Sequence, residues 1–372
     1  MPRNYSIFLD GLRLSAALIV LAGHLTQLSG GTLTRLPIEH DGVVIFFLLS
    51  GYVIGYCAHE RETDLATFAI ARIARVFSVA VPALLLTMAL DRTGMIFNAS
   101  AYPFAFEFRK WFLYLPLFWS FLSEIWLFKI SAFSNTPYWS LVYEVWYYLL
   151  FASLFFFRGA VRLILGGAVF LVMGPKIWLL APLWLAGYGL YRLHRRPAMA
   201  IAPAPALILA AIAVLAYGAV KIWKIDLALD NFVDQISGGW SRRSLSGSQF
   251  FLGDYIKGIT IFLFLLAMRY CLPAWIAGQR VAGAIRDYSQ FTFSLYLFHF
   301  PILVFLLAAF PPTNAADQLL RLGVVFAVVF TLGGWCERRK GALRRALARL
   351  YRRAGAPGSK SISQWQPGEA PL

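Results

Sequence analysis

LDGLRLSAALIVLAGHL, residues 9–25, decides the architecture. After Arg13 the run continues for ten residues without a charge, and it is apolar on every side rather than along one stripe. A helix on the surface of a soluble protein keeps a polar face; this one has none to offer water. Runs of similar character recur at about 41–58, 76–97, 139–157, 160–175, 177–192, 204–223, 251–271, 291–310 and 318–336, with the first extending over about 14–33. Of the 372 residues, 59% are hydrophobic and 14% charged, whereas soluble domains carry about a quarter charged residues. Mean hydropathy is +0.65. The excess of Phe, Trp and Leu needs lipid as its solvent. Membrane barrels are written in alternating segments of about ten residues, so continuous runs near twenty residues imply helices. The expected fold class is all-α: a polytopic transmembrane helix bundle of about ten spans. It occupies residues 1–353, and a Gly-, Pro- and Ser-rich tail, 354–372, is expected to be disordered.

An eleventh apolar segment, 111–129, contains Glu124 and is flanked by Arg109, Lys110 and Lys129. If it crossed, everything after it would invert and the basic tail would be exported. Lys and Arg concentrate on the cytoplasmic side of membranes, so this segment is expected to be interfacial or re-entrant, with both termini cytoplasmic. The net charge of +16 sits in short clusters between spans and in Arg338, Arg339, Lys340, Arg344, Arg345, Arg349, Arg352 and Arg353. That pattern fits a topology determinant touching anionic lipid; no aromatic-and-basic platform for nucleic acid accompanies it. Cys57, Cys271 and Cys336 are isolated, form no metal-ligand spacing and fall near the cytoplasmic face, where they would be reduced. Asp10 and Arg13 interrupt the first apolar stretch and no clear cleavage site follows, so it is expected to be a retained span. Two sizeable outer loops, 98–138 and 224–250, remain. The second carries Asp226, Asp230, Asp234, Arg242 and Arg243, and serves either to meet a polar substrate or as a solvated connector.

An ionisable residue deep in a span costs roughly 2.5–3.5 kcal/mol on insertion scales, so each is a functional hypothesis. Arg13 and His24 are eleven residues apart, which puts them about 20° apart on one helical face and roughly 16.5 Å apart along the axis. Taken singly, Arg13 is equally an inner anchor, and His24 a neutral packed ring; the shared face joins them. Asp10 can pair with Arg13. Glu144 and Tyr148 share a face in the 139–157 span. Glu144 should find a partner, with His24 the candidate, or else reach up to the headgroups. Arg72 and Arg75, three apart at the start of the third span, suit either a phosphate clamp or lipid-phosphate anchoring. His299 has Ser294 and Tyr296 nearby; Tyr296 could hold it, for a structural bond across helices or for catalysis. Ser50 and Gly51 sit where small residues let helices approach closely. Phosphate-binding glycine loops, a setting for a serine nucleophile and a His-Glu-x-x-His helix do not occur.

Five segments in order resemble the acyltransferase-3 family of membrane acyltransferases, which modify cell-surface carbohydrates. They are LDGLRLSAALIVLAGHL (9–25), FFLLSGYVIG (46–55), RIAR (72–75), YWSLVYEVWYYLLF (138–151) and SLYLFHFP (294–301). The chain departs from the family pattern at Ser78, where a proline often follows the paired arginines; here Pro82 comes later. The resemblance implies a transferase that performs polysaccharide O-acetylation in the bacterial inner membrane. Its donor would be a cytoplasmic acyl-CoA, usually acetyl-CoA, and its acceptor a hydroxyl of a carbohydrate or glycolipid. No metal and no permanently bound cofactor are expected. On this reading His24 is the general base or a transient acyl carrier. Glu144 orients it, while Arg72, Arg75 and Arg13 bind the donor's phosphates. Trp139 lines the carbohydrate side, and Asp10, Ser50, Ser140, Tyr148, Tyr296 and His299 take substrate-binding or structural parts. A multi-span transporter or flippase for a sugar or lipid-linked sugar needs a similar polar pathway, but no paired broken helices appear in matching halves. A non-catalytic scaffold would tolerate Glu144→Gln.

Overall fold

The computed structural model describes residues 1–102, 110–196, 201–271 and 278–354. Beyond Ala354, the tail expected to be disordered lies outside the described residues. Those residues are helical throughout apart from turns and a single bridge between Ala132 and Asn135. In chain order the helices are α1 (Arg3–Gln27), α2 (Glu39–Glu60), α3 (Leu65–Phe97), α4 (Trp111–Trp119), α5 (Tyr138–Phe155), α6 (Gly159–His194) and α7 (Pro203–Ile222). There follow α8 (Ile225–Ile236), α9 (Trp240–Ser244), α10 (Phe251–Cys271), α11 (Gln279–Ser289), α12 (Thr292–Ala309), α13 (Ala315–Val328) and α14 (Gly334–Arg353). Eight stretches of helix among the described residues are long and apolar enough to cross a bilayer.

One of these eight, α6, is a hairpin. Gly174 adopts φ 77°, and the rings of Phe170 and Trp178 stack 4.6 Å apart. Eight residues along an uninterrupted helix span about 12 Å, so the chain must fold back between them. The two legs correspond to the separate spans expected at 160–175 and 177–192. Glycine is required at the reversal twice over. Its φ is positive, and a Cβ there would lie 2.5 Å from Trp126 Cα. Outside the eight, α5 is less apolar because it carries Tyr, Trp and Glu144, and it is buried within the bundle rather than turned to lipid.

The doubtful segment 111–129 does not form a span. Its one helix, α4, has nine residues, about 13 Å of rise against a hydrocarbon core of about 30 Å. Glu124 is instead drawn into the protein to meet the α6 reversal. Lys176 Nζ bonds Glu124 Oε2 at 2.5 Å and also the carbonyl of Phe128, with Lys176 fully buried. Removing one partner of such a pair strands a buried charge, at a cost of about 3–5 kcal/mol, whereas replacing both by apolar groups is often neutral. Lys176→Met should therefore lower the thermal stability of the detergent-solubilised protein sharply, and adding Glu124→Leu should restore most of it. Equal losses in the single and double variants would show that the pair does not hold the reversal.

Several boundaries differ from expectation because protein, not lipid, surrounds the charges. Helix α1 starts at Arg3 rather than near residue 14: Arg13 bonds Asp10 at 3.4 Å and the carbonyl of Ser289 at 3.3 Å, so neither charge ends the helix. Helix α3 starts at Leu65 rather than 76, capped by Asp64, whose side chain accepts the Thr67 N–H at 2.9 Å. Arg72 and Arg75 consequently lie two to three turns inside α3. The last span does not stop at 336, since α13 runs through a π turn at Val329–Gly333 into the basic α14.

Helix α2 is the hub, packed by α1, α6 and α10. Glycines set those approaches. A Cβ on Gly51 would lie 1.9 Å from Trp184 O, and one on Gly23 would lie 2.7 Å from Glu39 N.

Candidate active site

Helix α2 leaves Phe46, Ser50 and Val53 only half-buried along one stripe, at helical spacing, while their neighbours are buried. That stripe faces a partly open cleft walled also by α1, α3, α5 and α12. Arg13, Arg72 and Arg75 lie toward the end where α1 and α3 begin. Ser50, Glu144 and Tyr148 occupy the middle, and Phe46, Phe47, Ser140 and Tyr296 the far end. The three zones follow from helix direction: α2 and α5 run opposite to α1, α3 and α12.

The arginines differ in what they already hold. Arg72 grips Glu62 with two bonds, 2.7 and 2.9 Å, and lies over the Tyr148 ring. Arg13 makes the two long bonds given above. The Arg75 guanidinium has no hydrogen-bond or ion-pair partner among the described residues, yet it is half-buried and lines the cleft. A cation so placed is ready for an anionic ligand.

Glu144 meets neither of its expected partners. Its carboxylate accepts from Tyr148 at 2.5 Å and from Ser50 at 2.6 Å, and Trp184 Nε1 donates to Ser50 at 3.1 Å. The expected pairing with His24 is therefore corrected. Ser50, read as a packing residue, belongs to this polar cluster, whereas Gly51 does serve packing. Tyr296 does not hold His299 either: its hydroxyl bonds Ser140 at 2.6 Å and accepts no imidazole N–H. Asn135 Nδ2, from the loop before α5, ties into the same region through the carbonyl of Leu297 at 2.8 Å.

The partner of His24 is His299, with Nδ1 of the first 2.9 Å from Nε2 of the second and the rings stacked at 5.1 Å. The tautomers follow by elimination. His299 Nδ1 faces the carbonyl of Leu295 at 2.9 Å, and a carbonyl only accepts, so Nδ1 carries the proton. In the neutral ring Nε2 is then the acceptor, His24 Nδ1 must be the donor, and His24 Nε2 bears a lone pair. No protein group among those described bonds that nitrogen, and the His24 ring is only half-buried. An imidazole held through one nitrogen with the other open is the arrangement a general base needs. The pair lies outside the cleft lining: Tyr296, one turn before His299 and 6.2 Å from it ring to ring, stands between with Phe46.

Arg321 escaped the sequence reading. It sits in the last apolar run, 3% exposed, and donates to the carbonyls of Leu28 at 2.7 Å and Leu303 at 2.8 Å. Each carbonyl belongs to the residue four positions after one of the two histidines, so Arg321 cross-links α1 and α12 one turn beyond the pair. The available signal was the rule that ionisable residues within spans are functional until shown otherwise.

No curated protein and no solved structure matches the chain. The family model described as an acyltransferase domain, of the acyltransferase-3 family, matches residues 6–336. That range takes in every motif above, from the Asp10–His24 stretch to the SLYLFHFP helix. The chain belongs to the acyltransferase-3 family and, with its long apolar helices, is a membrane acyltransferase.

Proposed function

We propose that the protein is an integral membrane O-acyltransferase that moves an acyl group, most simply acetyl, from cytoplasmic acyl-CoA to a hydroxyl of a cell-surface carbohydrate or glycolipid. In this reading ten segments cross a bacterial inner membrane, both termini are cytoplasmic, and the arginine end of the cleft faces inward. One observation carries it. A half-buried cleft begins at a guanidinium without a partner among the described residues and ends one aromatic layer short of an imidazole with an open lone pair.

Coenzyme A is charged at its nucleotide and thin at its pantetheine arm, and the cleft has the same polarity. Arg75 takes a phosphate, assisted by Arg72 and Arg13. Ser50, Tyr148 and Glu144 give the amides of the arm hydrogen-bonding company in an otherwise apolar passage. The thioester passes Tyr296 to reach His24. There His24 Nε2 removes the proton from the acceptor hydroxyl as its oxygen attacks the thioester carbonyl. The C–O bond forms, the C–S bond breaks, and the imidazolium returns the proton to the departing thiolate. The products are an ester and free coenzyme A thiol. Throughout, His24 Nδ1–H stays on His299 Nε2, which accepts charge density from the transient imidazolium. Metal and redox cofactors have no part in this proposal.

The reading is tested with radiolabelled acetyl-CoA and membranes containing the protein. Label should enter carbohydrate in step with release of coenzyme A thiol, and mass spectrometry of surface glycans should show the added acyl mass only when the protein is present. Neither label transfer nor a glycan mass difference would leave the proposal without support.

A further inference from the structure

His40, which no motif singled out, opens α2 at the end of the bundle away from the arginines. Its Nδ1 is 3.0 Å from Asp254 Oδ1 on α10. Its ring stacks on Trp139, with centroids 5.6 Å apart and planes 14° apart, and Phe250 meets it edge-on at 4.9 Å. Although it is clamped on these sides, His40 Nε2 is buried and has no hydrogen-bond partner among the described residues. Asp254 Oδ2 is in the same state, in a side chain with no exposure. Native proteins leave few such atoms unsatisfied, and each one calls for an explanation.

The surroundings explain the ring's orientation but not its open nitrogen. Lys257 bridges Asp254 at 3.0 Å and Asp41 at 2.9 Å, and Lys221 bridges Asp41 and Asp226 at 3.0 Å each. Three carboxylates face two ammonium groups, so Asp254 is left to accept from His40 Nδ1–H. In the loop helix α8, Asp230 accepts the Gly253 N–H at 3.0 Å, and burial pushes its carboxyl up to about 6. With Nδ1 committed, Nε2 offers a lone pair when the ring is neutral and an N–H when it is charged. A hydroxyl, both donor and acceptor, satisfies either form.

The position matters as much as the orphan. Helices α1 and α2 approach closely where Gly23 meets Glu39, and His24 and His40 are the residues that follow these two in the chain. Trp139 precedes Ser140, which bonds Tyr296, whose ring neighbours His299, which bonds His24. Helices α1, α2, α5 and α12 thus close a circuit of contacts at one level of the bundle. It lies beyond Phe46, which touches Tyr296, and Phe47, which touches Trp139.

We propose that His40, braced by Asp254 and Trp139, is the acceptor subsite: its Nε2 hydrogen-bonds one hydroxyl of a polyhydroxylated acceptor while another hydroxyl of the same molecule meets His24 Nε2. The proposal rests on the acyltransferase reading with His24 as the base. It makes His40 a binding residue, and it accounts for selection of a sugar over water or a simple alcohol, because only a polyol reaches both imidazoles.

The test uses the full chain in detergent, acetyl-CoA, and base-treated surface carbohydrate from the producing cells. Two rates are read: thiol release with water as the only acceptor, and label entering carbohydrate. Asparagine at position 40 keeps a donor for Asp254 but has nothing at the Nε2 position; glutamine puts an amide there. His40→Asn should lower transfer to carbohydrate by about tenfold or more, through the KM for carbohydrate, and leave hydrolysis near the wild-type rate. His40→Gln should recover part of the transfer. Equal loss of both rates in His40→Asn would make His40 part of the packing around His24, and no change in either would make it an ordinary buried ring; both overturn the subsite. A wild-type protein that releases no thiol under either condition would instead sink the acyltransferase reading, and this proposal with it.

Discussion

Alanine at position 24 abolishes acyl transfer while the protein still inserts and folds. The expected loss is about 10²–10⁴-fold in kcat, the range for a positioned general base. Folding should survive because, among the described residues, His24 has no charge partner and its one side-chain hydrogen bond goes to His299, and its ring is half-buried rather than locked in the core. The variant is checked by thiol release from acetyl-CoA alongside size-exclusion behaviour of the solubilised protein. His299→Ala should cost less. It leaves the base in place and removes only the acceptor that keeps the His24 Nδ1 proton where it is, so part of the population still presents a lone pair at Nε2. Full activity in His24→Ala would show that the proton leaves the acceptor by another route.

Arginine 75 yields the second large effect, this time on the donor. A charge-assisted hydrogen bond contributes about 1.5–3 kcal/mol, so Arg75→Ala should raise the KM for acetyl-CoA about 10–100-fold with little change in kcat. Stability should hardly move, since the guanidinium has no partner among the described residues to strand. Arg72→Ala should behave differently. It leaves Glu62, 5% exposed, without its two bonds, so thermal stability falls as well as donor affinity. Measuring KM and melting temperature on both variants separates binding from bracing. An unchanged donor KM in Arg75→Ala would assign that arginine to lipid phosphate.

Much of the candidate site was readable in one dimension because lipid filters composition so strongly. In a run such as 9–25, a charge or an imidazole is costly enough to stand out, as Arg13, His24, Glu144 and His299 do, whereas Arg72 and Arg75 stand out by their spacing at the start of the third span. Their partners do not. Periodicity along one helix says which residues share a face, as it did for Glu144 with Tyr148 and Asp10 with Arg13, but it carries no information about the facing helix. Hence Glu144 was matched with His24, when Ser50 and Tyr148 hold it and His299 holds His24. Arg321 carries the same signal, a charge inside an apolar run, and goes unnamed in the sequence analysis all the same, whereas His40 lies at a span's edge, where a polar residue is ordinary.

By itself the sequence determined the class of solvent, the helical character, the approximate positions of the crossing segments and the set of polar residues too costly to be incidental. Each of these depends on local composition or on a period of 3.6 residues, which neighbours in the chain already define. Only the tertiary structure decided that α6 turns back at Gly174, that Glu124 is spent on Lys176, and that an aromatic layer parts the arginine cleft from the imidazoles. Those are contacts between segments far apart in the chain. They are set by how closely glycine lets backbones approach and by which buried donor finds which acceptor.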